Sequence, residues 1–172
     1  MSTTDGVQAK DKDWEVAKNA KKASLVVGAL SLDQRNDALQ RIHDILIERK
    51  HDILTANQRD MSAAQELVAQ GKLQSSMVKR LDLGLPGKYE SMCQGVLDVM
   101  NLPDPLGRLT YATKMDEGLN LRRISCALGV LLVIFEARPE VVVNITALAL
   151  KSGNLFVLSD SIIRERRNPE RR

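Results

Sequence analysis

The chain has 172 residues, 44% hydrophobic and 27% charged, enough for one soluble domain with its own core. Its formal charge of +3 excludes a strongly basic surface, because Ser159–Arg172 alone carries five arginines against Asp160, Glu165 and Glu170, and the body is nearly neutral. Aromatic residues make up 3%, so the core has to be built from Leu, Val, Ile and Ala.

Residues 1–12 are polar and are expected to be disordered. From Asp13 onward Val16, Ala20, Ala23, Val27 and Leu30 recur in steps of three and four, one face of an amphipathic helix. Ser31-Leu32-Asp33-Gln34 reads as a capping box, with the Ser hydroxyl and the Gln side chain each satisfying an amide at the helix start. It opens a second helix with Ala38, Leu39, Ile42, Ile45 and Leu46 inward. Helix continues from Asp52 to about Ala69, and Gly71 suits its C-terminal cap. A short helix covers Gln74–Leu83. Pro86 fits the first turn of the next, whose inner face is Tyr89, Met92, Val96, Val99 and Met100.

Pro103-Asp104-Pro105 ends the helical half. Leu109, Tyr111 and Met115 then alternate with Arg108, Thr110 and Lys114, and Leu119 and Leu121 with Asn120 and Arg122. Asp116-Glu117-Gly118 lies between them, so residues 108–124 read as a β-hairpin. Such a hairpin either pairs with another subunit or packs at home.

Leu128–Asn154 carries the most information. An apolar run, Val130–Phe135, meets a charged break at Glu136, Arg138 and Pro139. An apolar segment of helical length follows, then Lys151-Ser152-Gly153-Asn154, then another apolar run. Strand, turn, helix, turn, strand is a βαβ unit with parallel strands. Glu136, Arg138 and Pro139 fall at the carboxyl end of the first strand, where open α/β sheets bind ligands. Arg138 and the helix amides suit a carboxylate or acyl phosphate. The alternative is that Glu136 and Arg138 pair with each other or with the N-terminal helices. Lys151, Ser152, Gly153 and Asn154 most simply form a tight turn, Gly153 supplying a positive φ; a functional role would be indirect, through the strand that follows.

Other chemistry finds little support. Glycine-rich dinucleotide and phosphate-loop motifs are absent. His43 and His51 have no metal-site spacing and read as surface residues; no metal is expected. Cys93 and Cys126 make no local zinc or redox motif, read as small buried apolar residues, and have no nearby histidine to activate a thiolate. Neither a secretory signal nor a span uninterrupted by charge is present, so a cytoplasmic protein without membrane association is expected. The tail Ile162–Arg172 offers charge to nucleic acid without interleaved aromatics and reads as a solvated, disordered segment.

Several segments resemble the gamma-glutamyl phosphate reductases, glutamate-5-semialdehyde dehydrogenases of proline biosynthesis within the aldehyde dehydrogenase superfamily. They are VIFEARPEVVVNITALALKSGN at Val133–Asn154, RLDL at Arg80–Leu83, LPDPLGR at Leu102–Arg108, DEGLNL at Asp116–Leu121 and ANQRDMSAA at Ala56–Ala64. The likeness runs from about Val16 to Asn154 and covers only the N-terminal portion of such a protein. It implies an α/β fold: a helical N-terminal layer, a β-hairpin and the start of a parallel Rossmann-like sheet, an incomplete aldehyde dehydrogenase-like fold. Residues 13–158 would form a partial cofactor-binding domain, with 159–172 a basic, disordered tail. A sheet that stops after so few strands predicts marginal stability or aggregation.

The resemblance implies reduction of gamma-glutamyl phosphate with NADPH: a cysteine thiolate displaces phosphate, and hydride transfer to the thioester releases the semialdehyde. The family's nucleophile lies beyond this chain, and neither Cys93 nor Cys126 takes its place, so no catalytic residue is assigned. After Asn154 the family continues into a strand and a basic glycine-rich turn beside the cofactor; here Ser159 and Asp160 stand in that turn, which weakens the case for NADPH binding. Ala127 replaces a frequent Pro. The switch after Leu158 points to a truncated or alternatively spliced product or a misread exon boundary. Three readings follow: the family's dehydrogenase activity, with this chain itself inactive; a non-catalytic fragment that joins full-length subunits, or a homo-oligomer, through the hairpin; and a nucleic-acid-binding tail.

Overall fold

The computed structural model describes residues 4–160, with side chains described from residue 13 to 159. Six helices and four strands follow in chain order: α1 (Thr4–Gly28), α2 (Leu32–Glu48), α3 (Lys50–Ala69), α4 (Ser75–Leu81), α5 (Lys88–Asn101), β1 (Leu109–Asp116), β2 (Leu119–Ile124), β3 (Val130–Phe135), α6 (Pro139–Lys151) and β4 (Leu155–Asp160). The strands form two separate pairs, β1–β2 antiparallel and β3–β4 parallel. The chain is thus the expected mixture of a helical layer, a hairpin and the beginning of a parallel sheet.

Local signals set most element ends. At α2 the Ser31 hydroxyl accepts from the Gln34 amide at 3.2 Å, and the Gln34 side chain accepts from the Ser31 amide at 2.9 Å, the full capping box. At the end of α3, Gly71 takes φ +69°, its amide reaches the Val68 carbonyl at 2.9 Å, and the Lys72 amide reaches the Leu67 carbonyl at 2.9 Å. Those two bonds satisfy carbonyls that the helix end would leave open.

Four sequence expectations need correction. Helix α1 begins at Thr4, inside the stretch read as disordered, because Val7–Val27 holds no Gly or Pro and is rich in Ala and Lys. Pro86 lies in the turn before α5 rather than in its first turn; Gly87, at φ +76°, is the N-terminal cap. Val16 and Ile45 are exposed, since the strands packed on α1 and the helices packed on α2 cover a narrower stripe than the apolar spacing allows. Strand β4 extends through Ser159 to Asp160, two residues expected to belong to the disordered tail. The rest of the basic tail lies outside the described residues.

The core is a helix–helix seam. Leu39 and Leu46 of α2, Tyr89, Met92, Cys93 and Val96 of α5, and Ala147 of α6 are buried together with Leu83. Leu39 and Val96 are fully buried, each contributing roughly 1.5–3 kcal/mol of apolar transfer. The Tyr89 hydroxyl donates to the Leu46 carbonyl at 2.7 Å, so this buried polar atom is satisfied. The seam holds α6, and therefore both ends of the βαβ unit, against the N-terminal helices.

The hairpin contributes almost nothing to this core. Every residue of β1 and β2 is exposed except Thr113, which is half-buried. The turn is Glu117-Gly118, with Gly118 at φ +75°, and two register shifts bend β1.

Candidate functional site

The seven sequence-derived candidates fall into two groups at opposite ends of α6. A helix of 13 residues separates them by about 20 Å.

Glu136, Arg138 and Pro139 form the junction where β3 ends and α6 begins. Between them Ala137 is fully buried and adopts φ +50°, the one non-glycine residue at positive φ among the described residues. A left-handed alanine costs roughly 1–2 kcal/mol, so packing around it imposes the turn. Arg138 is the N-terminal cap of α6 but makes no side-chain capping bond, and Pro139 occupies the first helical turn, where a missing N–H costs nothing. The Arg138 side chain is exposed and has no ion-pair or hydrogen-bond partner among the described residues.

Two cations that the sequence reading did not single out reach the same junction. Arg80 at the end of α4 lies with Nη1 3.9 Å from Glu136 Oε2. Lys88 at the start of α5 lies with Nζ 3.5 Å from Glu140 Oε2 and donates to the Arg80 carbonyl at 2.6 Å. Arg80 is positioned by Asn57, whose Nδ2 donates to the Leu81 carbonyl at 2.8 Å while its Oδ1 accepts from the Leu83 amide at 2.9 Å. The family-like segments Ala56–Ala64 and Arg80–Leu83 therefore meet through one buried asparagine. Of the two pairings left open for Glu136, the structure shows the one with the N-terminal helices.

Glu140 sits in the first turn of α6, so a carboxylate of the chain's own already lies at the positive end of that helix. The residues present at this edge do not by themselves fit a phosphorylated dinucleotide: of its three cations Arg80 and Lys88 lie against Glu136 and Glu140, and the first turn of α6 carries its own carboxylate.

Lys151, Ser152, Gly153 and Asn154 form the other group, and each has an internal partner. Lys151 is 3% exposed; its Nζ donates to Asn36 Oδ1 at 2.9 Å and to the Met100 carbonyl at 2.7 Å. Burial lowers its pKa, partly opposed by the nearby Asp104 carboxylate. Its carbonyl accepts from Arg35, a buried guanidinium that also donates to Asp104 Oδ2 at 2.7 Å. That bond from Arg35 holds the Asp104 carboxyl below its ordinary value.

Ser152 Oγ bonds back to the Leu148 carbonyl at 2.6 Å. Gly153 takes φ +65°; the Gly153 amide reaches Leu150 and the Asn154 amide reaches Ala149, the same two-bond helix end as at Gly71. Asn154 Oδ1 accepts from the Leu128 and Gly129 amides at 2.7 and 2.9 Å, fixing the entry to β3 beside the start of β4. The positive φ expected for Gly153 is present.

Neither cysteine joins either group. Cys93 is buried in the helical seam, as expected, and burial raises its pKa. Cys126, also expected to be buried, is instead exposed, because it lies in the irregular link between β2 and β3. Among the described residues no cluster of three or more His, Cys, Asp or Glu side chains could hold a metal ion. No described helix is long and apolar enough to cross a membrane.

No protein-family model matches the chain. A probable gamma-glutamyl phosphate reductase from Schizosaccharomyces pombe is 58% identical over 144 residues, covering 84% of this chain and 32% of that protein. The gamma-glutamyl phosphate reductase of Saccharomyces cerevisiae is 46% identical over 144 residues and is covered to 31%. The crystal structure of the S. cerevisiae enzyme superposes with a TM-score of 0.81 at 45% identity, over 86% of this chain and 36% of that one. The Thermotoga maritima structure gives 0.77 at 33% identity, over 86% and 34%. The chain thus spans about a third of the length of the curated relatives it matches, and over that span it is homologous to the N-terminal portion of the gamma-glutamyl phosphate reductases.

Proposed function

We propose that this chain supplies the N-terminal portion of a gamma-glutamyl phosphate reductase and does not turn over substrate alone. The whole protein's reaction would be the reduction of gamma-glutamyl phosphate to glutamate-5-semialdehyde in the cytoplasm, with NADPH as reductant. The observation that carries this reading is the 58% identity confined to 32% of the relative's length. In it Arg138, exposed and without a side-chain partner among the described residues, is the cation that would meet an anionic group of substrate or cofactor at the strand edge. Arg80 and Lys88 hold the acidic side chains of that edge in place.

Expression of the chain in a proline auxotroph lacking the reductase tests the claim, with folding of the purified chain checked by circular dichroism. No growth from folded protein is expected. Growth without added proline would overturn the claim of inactivity.

A second reading is favoured by the hairpin. Leu109, Tyr111, Met115, Leu119, Leu121 and Ile124 are all more than half exposed, on a two-stranded ribbon with no cover among the described residues. Such a ribbon suits pairing with a full-length subunit or a second copy. Co-purification with intact reductase that survives deletion of residues 108–124 would sink it.

A further inference from the structure

The hairpin is a cantilever. Strands β1 and β2 contact chiefly each other, and only Thr113 is even half-buried. Side-chain packing along the ribbon therefore does not decide the direction in which it leaves the body. Its two connections decide it, residues 102–108 leading in and 125–129 leading out.

Ser125 ties the two connections together. Its Oγ donates to the Pro105 carbonyl at 2.7 Å and accepts from the Arg108 amide at 3.0 Å. The Gly107 amide donates to the Ser125 carbonyl at 2.9 Å, and the Ser125 amide to the Arg108 carbonyl at 3.0 Å. These bonds make the ribbon and its foot one piece, but all of them stay within that piece.

Asp104 reaches the body. Its Oδ1 accepts from the Leu106 amide in the foot at 3.0 Å, and its Oδ2 accepts from Arg35 Nη2 at 2.7 Å. Arg35 is 2% exposed and is itself fixed, with Nε donating to the Ser31 carbonyl at 3.3 Å and Nη1 to the Lys151 carbonyl. One carboxylate thus links the foot of the ribbon to the start of α2 and the end of α6. On the outgoing side the Leu128 and Gly129 amides are held by Asn154, which leaves Cys126 and Ala127 between that anchor and Ser125. The Leu106 side chain also lies against Gly153. Apolar contact of that kind is non-directional, whereas a charge-assisted bond from a buried guanidinium fixes an angle.

We propose that Asp104 is the latch that sets the direction of the hairpin: paired with Arg35 it holds the ribbon at one angle to the βαβ unit, and with the pair broken the ribbon swings as one piece about residues 104–106 and 126–127. The latch belongs to the chain itself and stands whether or not the ribbon meets another subunit. What it supplies is presentation. A strand edge offered at one angle loses less orientational freedom on pairing than one that sweeps through many.

Double electron–electron resonance on the complete 172-residue chain reads the angle. Nitroxides are placed at Glu117→Cys in the hairpin turn and Asp98→Cys on α5, with exposed Cys126 replaced by Ser and buried Cys93 left in place. One narrow distance distribution is expected. Asp104→Asn removes the charge but leaves an oxygen for the Leu106 amide, and it should widen that distribution by about twofold or more. A second label pair within the body, Asp98→Cys with Glu48→Cys, should stay unchanged, which separates a released ribbon from a loosened fold. Should Asp104→Asn fail to fold by circular dichroism, Asp104→Glu decides: it keeps the charge on a longer stem and should move the mean hairpin distance while the distribution stays narrow. A parent distribution already as broad as that of Asp104→Asn would overturn the proposal. So would a width that Asp104→Asn does not change, equal broadening of the body pair, or a mean that Asp104→Glu leaves in place.

Discussion

Replacing Gly153 with alanine isolates what the turn after α6 requires. The residue holds φ +65°, and a Cβ there would lie 2.8 Å from Leu106 Cδ1, 3.6 Å from Ala127 Cβ and 3.7 Å from Gly28 Cα. Two costs add. A left-handed alanine costs roughly 1–2 kcal/mol. Overpacking costs typically about 1–3 kcal/mol, here at the low end because the Leu106 side chain can give way. The sum is about 2–4 kcal/mol. Gly71 provides the internal control: it closes α3 with the same two hydrogen bonds at φ +69°, but nothing lies within 4 Å of its Cβ position. Gly71→Ala should therefore carry the backbone cost alone. In thermal unfolding followed by helical circular dichroism, each kcal/mol corresponds to about 2–4 °C for a chain of this size. Gly153→Ala should lower the midpoint by about 4–16 °C, or abolish the transition in a chain of little reserve, and Gly71→Ala by clearly less. Equal shifts for the two variants would show that the close approach of Leu106 is not a constraint.

Further tests address the groups around the two ends of α6. Asp104 has a pKa lowered below its ordinary 3.8 by Arg35, so its contribution is present above 3.8 and is lost as pH falls through the lowered folded value. Asp104→Asn should flatten the acid limb of a plot of unfolding midpoint against pH; an unchanged limb would assign the loss to other carboxylates. Asn154→Ala leaves the Leu128 and Gly129 amides without an acceptor and should cost about 2–4 kcal/mol, measured by urea unfolding. Asn154→Asp keeps the oxygen that accepts from both amides, losing only the donations to Ser152, and should cost less. Arg138→Ala should change stability by no more than about 0.5 kcal/mol, because the side chain is exposed and unpartnered among the described residues. A loss as large as that of Asn154→Ala would mean that Arg138 serves the fold and not a ligand.

The elements and their ends were legible in the sequence where the cause is local. The Ser31–Gln34 capping box, the glycine ends at Gly71 and Gly153, the inner faces of α2 and α5, and the strand–helix–strand unit each depend on residues within a turn or two of one another. Backbone hydrogen bonding and side-chain period act at that range, so they are written in short spans of sequence.

What each candidate side chain does was decided only by packing. Lys151 reads in sequence as a charge at a turn; in the structure it is buried on Asn36 and the Met100 carbonyl, 115 and 51 residues away. Glu136 could have paired with Arg138 two residues on, and it faces Arg80 instead. Whether a charge is free for a ligand or spent on the fold depends on which distant atoms desolvate it and reach it, and that distance exists only after the helices have packed. The same holds for Leu132 and Ile134: the sequence marks them as strand, and only the tertiary arrangement shows that nothing among the described residues covers them.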